Sequence, residues 1–189
     1  MLNSIDLPKA MQAVAALFRI HGTAQISAVR LLKLLYIADR ESIKETGHSI
    51  TGDQAIATKH GPQLRELHQL IMGEHAPPPI WSCCFRRLHA DLKWISEPES
   101  GALSSYESAK LKALTTRYAA CSDEELQEIT RDFDEWKKNE SAGSCACIPL
   151  DEILRAVGRS ADQESVFHEA NHQAKPPLSS AQPLSLSPI

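Results

Sequence analysis

The fold of this chain is decided by the stretch Leu31-Leu32-Lys33-Leu34-Leu35-Tyr36-Ile37-Ala38-Asp39-Arg40. Only Lys33 interrupts the apolar run from Leu31 to Ala38. A helix that is apolar on nearly all sides is normally buried by several neighbouring elements. The pattern therefore predicts a central helix that begins near Ala28, after a capping Ser27, and ends at Gly47.

The polar side chains of this helix form a stripe at helical spacing, because residues three and four positions apart share a face. The stripe consists of Arg30, Lys33, Arg40, Glu41 and Lys44. We expect it to open toward solvent or a partner.

Helical periodicity and capping signals predict further helices on both sides of the central one. Their markers are Asp6 with Pro8 at the start and Gly22 at the end of the first helix, Gly61-Pro62 followed by Leu64, Leu67, His68 and Ile71, the capping boxes Ser104-x-x-Glu107 and Ser122-x-x-Glu125, and Ile148-Pro149 with Gly158. Residues 54–59 are compatible with a short strand. The prolines in 73–79 predict a loop, and residues 81–94 predict irregular structure that leads into a strand.

These elements predict a mainly α (α+β) fold, a compact bundle of about six helices around the buried central helix, with a small antiparallel sheet of two or three strands. We expect one domain over residues 1–158. Residues 159–189 are rich in Ser and Pro and have few large apolar side chains. Such a segment cannot offset its ordering entropy by burial, so a disordered tail is predicted.

The composition excludes several classes of protein. The chain has 189 residues, 42% apolar and 23% charged, with a net charge of -4, whereas nucleic-acid-binding proteins usually carry a basic patch. No apolar run reaches the length that spans a bilayer, and residues 1–9 lack the order of a secretory signal. We therefore expect a cytoplasmic protein with neither a nucleic acid nor a membrane as partner.

The cysteines and histidines provide only poor candidates for chemistry. Cys83-Cys84 and Cys145-x-Cys147 do not have the spacing at which zinc sites pair their ligands, so free thiols are favoured over a metal site. His168 and His172 lie in the predicted tail, and no nucleophile or phosphate-binding motif is present. We expect no cofactor and no catalysis. A cysteine- or metal-dependent enzyme is the weakest alternative.

Three motifs that follow one another along the chain carry a family resemblance. They are Lys33-Leu34-Leu35-Tyr36-x-Ala38-Asp39-Arg40, Ile50-Thr51-Gly52-Asp53 and Lys59-His60-Gly61-Pro62, with later support from Leu103-Ser104-x-x-Glu107, Trp136-Lys137 and Ile148-Pro149-Leu150-x-x-Ile153-Leu154. Together they resemble the Panacea domain of SocA-like antitoxins, a family that includes prophage-associated GepA-like proteins. In that family the segment before the third helix pairs in a small sheet, for which residues 92–95 are the expected partner strand.

The resemblance implies an antitoxin of a bacterial type II toxin–antitoxin system. Such a protein neutralises a cognate toxin by direct binding, and the adjacent gene is the expected source of that toxin. The alternative is a proteolytic adaptor that delivers a toxin to a ClpXP-type protease.

A partner-binding site is predicted where aromatic, charged and turn residues surround one helix end and one short strand. Its residues are Lys33, Tyr36, Asp39, Arg40, Thr51, Asp53, Lys59 and His60. The structural alternative is that Asp39 or Arg40 bonds to the 51–53 turn and holds the fold together. Gly52, Gly61 and Pro62 are expected to serve backbone geometry.

Overall fold

The computed structural model of the protein describes residues 5–142 and 145–159. In chain order its elements are α1 (Leu7–His21), β1 (Gln25–Ser27), α2 (Ala28–Thr46), β2 (Ala55–Thr58), β3 (Gly61–Leu64), α3 (Arg65–Met72), α4 (Pro79–Cys84), β4 (Phe85–Leu88), β5 (Asp91–Trp94), α5 (Ser105–Arg117), α6 (Asp123–Arg131), α7 (Asp134–Asn139), a 3-10 turn (Glu140–Ala142), β6 (Ala146–Cys147) and α8 (Leu150–Ala156).

Helix α2 is the centre of the fold. Every residue from Leu31 to Asp39 is buried. Helices α1, α3, α5, α6 and α8 contact α2, as do strands β1, β3 and β5. Its ends are those predicted, since the Ser27 side chain accepts the N–H of Arg30 and Gly47 adopts a left-handed conformation. The mainly α fold with a buried central helix is confirmed.

Two predicted capping boxes open neighbouring helices of the bundle. Ser104 and Glu107 satisfy each other's backbone N–H at the start of α5, and Ser122 and Glu125 do the same for α6. A few residues separate these helices, and both pack against α2. The boxes therefore fix where the two helices begin.

The strands form two antiparallel sheets of three strands, with the orders β1-β5-β4 and β3-β2-β6. The strand expected at residues 92–95 forms at 91–94. The partner expected for them was wrong, because β5 pairs with β1 and β4, whereas β2 pairs with β3 and β6. Short local patterns cannot choose between partners that are far away in sequence.

The prediction of a helix from Gly61-Pro62 is wrong. Residues 55–64 form the β2–β3 hairpin, and α3 begins only at Arg65. Gly61 has a φ of +98°, and Lys59 and His60 make a two-residue turn before it. Proline is tolerated both in the first turn of a helix and in an edge strand, and β3 is an edge strand.

The stretch 81–94 is more regular than predicted. It contains the end of α4 and then the β4–β5 hairpin, whose turn is His89-Ala90. Helices α4 and α7 were not predicted, which raises the number of α-helices in the described part of the chain to eight. Each of these two helices has only six residues. That length is too short to show a helical period.

The expectation that the polar stripe of α2 opens to solvent is wrong for most of its members. Lys33 is only 1% exposed. Arg30 pairs with Asp123 of α6 at 3.2 Å, and Glu41 pairs with Arg117 of α5 at 2.6 Å. Arg40 likewise pairs with a carboxylate of α7, at 2.6 Å, whereas Lys44 is exposed. Most of the stripe therefore faces α5, α6 and α7 and not solvent.

The boundary at residue 158 stays a prediction. Helix α8 ends at Ala156, and Gly158 has a φ of +83°. The proposed tail lies almost entirely outside the described residues. Within those residues, no helix is both long and apolar enough to cross a membrane.

Candidate functional site

The eight residues predicted to bind a partner fall into three groups. Helix α2 carries Lys33, Tyr36, Asp39 and Arg40, the segment after α2 carries Thr51 and Asp53, and the β2–β3 turn carries Lys59 and His60. Lys33, Tyr36, Asp39 and Thr51 are buried, Arg40 and Asp53 are half-buried, and Lys59 and His60 are exposed. The assignment of these residues to partner binding stays a prediction.

Asp39 holds the segment that follows α2. Its Oδ1 accepts the backbone N–H groups of Ile50 at 3.0 Å and Thr51 at 3.1 Å, and its Oδ2 accepts the Thr51 hydroxyl at 2.5 Å. Burial raises the pKa of Asp39 to about 7, although these three donors favour the ionised carboxylate. Asp39 therefore has an internal structural role, as the alternative interpretation anticipated.

Asp53 caps the N-terminus of helix α3, although it lies 13 residues before Glu66 in the first turn of that helix. Its Oδ1 accepts the N–H of Glu66 at 3.1 Å, and its Oδ2 accepts the N–H of Leu67 at 2.9 Å. These N–H groups belong to the first turn of the helix, where they have no partner within the helix. Burial raises the pKa of Asp53, while these backbone hydrogen bonds lower it. The side chain thus connects the 51–54 segment to α3.

Glu135 of α7 is an important residue that the sequence did not reveal. Its side chain is 0% exposed. Its Oε1 accepts Arg40 Nε at 2.6 Å and the Tyr36 hydroxyl at 3.0 Å, and its Oε2 accepts Arg40 Nη2 at 3.3 Å. The Arg40 guanidinium also lies 4.1 Å from the ring centroid of Phe133. In sequence Glu135 resembles any acidic residue in the first turn of a helix.

Lys33 lies beneath the β2–β3 hairpin. Its Nζ donates to the carbonyl oxygen of Pro62 at 3.1 Å. Burial, reinforced by the positive charge of Arg131, lowers the pKa of Lys33 to about 7. No ion pair of Lys33 occurs in the part of the chain that the structure describes. A Cβ on Gly61 would lie 3.0 Å from this Nζ, so a larger residue there would require the amine to shift by a few tenths of an ångström.

The turn that carries Lys59 and His60 is held through its backbone. The Lys59 carbonyl accepts Arg131 Nη2 at 2.8 Å, and the Thr58 carbonyl accepts Trp136 Nε1 at 3.0 Å. Within the hairpin the Thr58 hydroxyl donates to the Gly61 carbonyl at 2.8 Å. Helices α2, α6 and α7 thus fix the hairpin, while the two side chains at its tip remain exposed.

The cysteines do not come together as a metal site. Cys83 and Cys84 belong to α4, next to the sheet that contains β4, whereas Cys145 and Cys147 lie at β6 of the other sheet. Among residues 5–142 and 145–159, no group of three or more potential ligands could hold a metal ion. Cys145 and Cys147 are exposed free thiols, as is Cys83. His168 and His172 lie outside the described residues.

One comparison with known proteins identifies the family. The family model described as "Antitoxin SocA-like, Panacea domain" matches residues 31–137. The chain belongs to this family. No curated protein and no solved structure gives a significant match.

Membership of the SocA-like Panacea family confirms the resemblance carried by the three motifs. It gives the chain an antitoxin role related to toxin–antitoxin systems, with a toxin as the general kind of partner. The family also points to a role without catalysis. The matched segment contains α2 from Leu31 onward, the β2–β3 hairpin and Glu135, so every predicted site residue lies within it.

Proposed function

We propose that this chain neutralises a toxin encoded by the adjacent gene through direct binding in the bacterial cytoplasm, as one half of a type II toxin–antitoxin pair. The exposed side chains of Lys59 and His60 form part of the binding surface. The proposal starts from the Panacea family match, which makes a toxin the general kind of partner.

The observation that carries this proposal is the way the hairpin tip is held. Arg131, Trp136 and Lys33 donate to three carbonyls of the hairpin from three different helices. A loop whose backbone is already ordered loses little conformational entropy when a partner binds it. Lys59 and His60 are therefore presented on a rigid support, as expected of a recognition loop.

Co-expression with the product of the adjacent gene tests both parts of the proposal. The neighbour alone should arrest growth, and the wild-type chain should restore growth and co-purify with it. Lys59→Ala/His60→Ala should fold normally, because the bonds that hold the turn come from its backbone, and should lose most of the co-purified toxin. Lys112→Ala/His75→Ala removes the same two side-chain types from exposed positions elsewhere and should behave as wild type.

The outcomes separate the function from the surface. A harmless neighbour that does not co-purify contradicts the antitoxin function. Rescue with undiminished co-purification by Lys59→Ala/His60→Ala keeps the function and removes the turn from the interface. Deleting residues 160–189 addresses the ClpXP-type adaptor, since a stoichiometric blocker tolerates that deletion and an adaptor that uses the segment as a tether does not.

A further inference from the structure

A second surface lies on the outer face of the β1-β5-β4 sheet. The register places Gln25, Lys93 and Arg86 in one row across the three strands. Successive side chains of a strand point to opposite faces, and Ile26, Leu92 and Phe85, next to these positions, are buried. Lys93 and Arg86 therefore point away from the core, and both are exposed.

The two cations lie directly opposite one another in the β4–β5 register. Like charges at directly opposite positions of an antiparallel pair destabilise a sheet. Neither Lys93 nor Arg86 forms an ion pair or a side-chain hydrogen bond within the described residues. Asp91, the acid that the register places on the same face, instead accepts Gln25 Nε2 at 2.6 Å.

Apolar surface adjoins the two cations. Ile95 follows Lys93 by two positions and is 45% exposed. Its N–H donates to the Cys84 carbonyl at 2.8 Å, which continues the β4–β5 pairing by one residue. Leu88, two positions after Arg86, is half-buried. The face thus places two exposed cations beside partly exposed apolar side chains.

We propose that this Arg86–Lys93 face binds an acidic segment of a partner protein, one whose carboxylates alternate with apolar side chains. The carboxylates pair with Arg86 and Lys93, and the apolar side chains cover Ile95 and Leu88. Two cations beside apolar surface suit a short peptide better than a nucleic acid, which is usually bound by an extended basic stripe. The inference goes beyond the proposed toxin surface, since the Lys59–His60 turn belongs to the other sheet.

The test is an NMR titration of the full ¹⁵N-labelled chain with an acetylated peptide of alternating Glu and Leu. We expect saturable shifts at Gln25, Arg86, Lys93 and Ile95 that weaken as salt is raised from about 20 mM to about 500 mM. Arg86→Glu/Lys93→Glu should weaken peptide binding by at least about tenfold. Lys112→Glu/Lys138→Glu makes the same change of charge at exposed positions on helices α5 and α7 and should leave binding unchanged.

A second variant separates binding from folding. Arg86→Gln/Lys93→Gln removes the opposed charges, so its thermal midpoint should equal or exceed that of wild type while peptide binding falls. The proposal is overturned if the peptide gives no saturable shifts, if the shifts map elsewhere, or if Arg86→Glu/Lys93→Glu binds as wild type does. It is also overturned if a single-stranded oligonucleotide, and not the peptide, shifts this face, or if the face proves to be covered by a second copy of the chain.

Discussion

Lys33 Nζ donates to the carbonyl oxygen of Pro62 at 3.1 Å, so an amine on the buried central helix fixes the second strand of the hairpin that carries Lys59 and His60. The contact joins two of the three family motifs, since Lys33 begins the first and Pro62 ends the third. It ties the hairpin to the core through a group whose charge depends on pH.

Replacing Lys33 with Met should remove a rise of stability with pH. The pKa of Lys33 is about 7 in the folded state, against 10.5 for an unperturbed lysine. The unfolded chain therefore binds more protons than the folded chain between pH 7 and pH 10.5. The free energy of unfolding then increases with pH across this window, by at most about 1.4 kcal/mol per pH unit from this group. Urea unfolding of wild type and Lys33→Met between pH 7 and 10 measures how the free energy of unfolding of each depends on pH. Equal pH dependence in the two proteins would contradict the prediction.

Replacing Asp39 with Asn should remove a slope of the opposite sign. The pKa of Asp39 is about 7 in the folded state against a reference of 3.8, so the folded chain binds more protons in this window. Its contribution to stability is present below pH 3.8 and is lost as pH rises through about 7. The free energy of unfolding of wild type, relative to Asp39→Asn, should therefore fall from pH 4 to pH 7. A difference that stays constant with pH would show that Asp39 is ionised throughout.

Removing the charge of Glu135 should destabilise the protein through Arg40. Glu135→Gln leaves the Arg40 guanidinium largely buried without its carboxylate, and we expect a loss of about 2 to 4 kcal/mol in the free energy of unfolding. The double variant Arg40→Gln/Glu135→Gln should lose less than the sum of the two single variants. A double-mutant cycle from urea denaturation measures this coupling. Additive losses would mean that the ion pair contributes nothing beyond packing.

Substituting Gly61 with Ala should cost more stability than the same change at Gly101. Both glycines have a positive φ, +98° and +103°, so the backbone strain is similar. A Cβ at Gly61 meets Lys33 Nζ and Thr130 Oγ1 at 3.0 Å, whereas at Gly101 nothing lies within 4 Å. We expect backbone strain to lower the free energy of unfolding by about 1 to 3 kcal/mol in both variants, and crowding to lower it further in Gly61→Ala alone. Equal decreases in the thermal midpoint of unfolding of the two variants would show that crowding at Gly61 has no effect.

Local patterns were sufficient for the helices that have caps and a full period. Ser27 and Gly47 marked the ends of α2, and the two capping boxes marked α5 and α6, because these signals act over three or four residues. The short strand expected within 54–59 is β2, but its partner β3 was missed because Gly-Pro suits both a helix start and an edge strand. Helices α4 and α7 were missed because six residues show no period.

The candidate site was predicted as a set of residues but not as a surface. Motif residues such as Tyr36 and Asp39 proved to be buried, and only Lys59 and His60 stand exposed at the hairpin tip. Sequence alone does not separate a polar residue that meets solvent from one that meets a buried partner, because the distinction depends on which element packs over it.

The residues in their linear order were enough to specify the buried central helix, its caps and the Panacea motifs, since all of these depend on neighbours in the chain. Which strands pair, and which charges meet, was decided only when the helices packed. Tyr36 and Glu135 are 99 positions apart, yet their hydrogen bond is buried. No local signal specifies such a contact, because burial makes a polar group dependent on a partner that only the assembled fold provides.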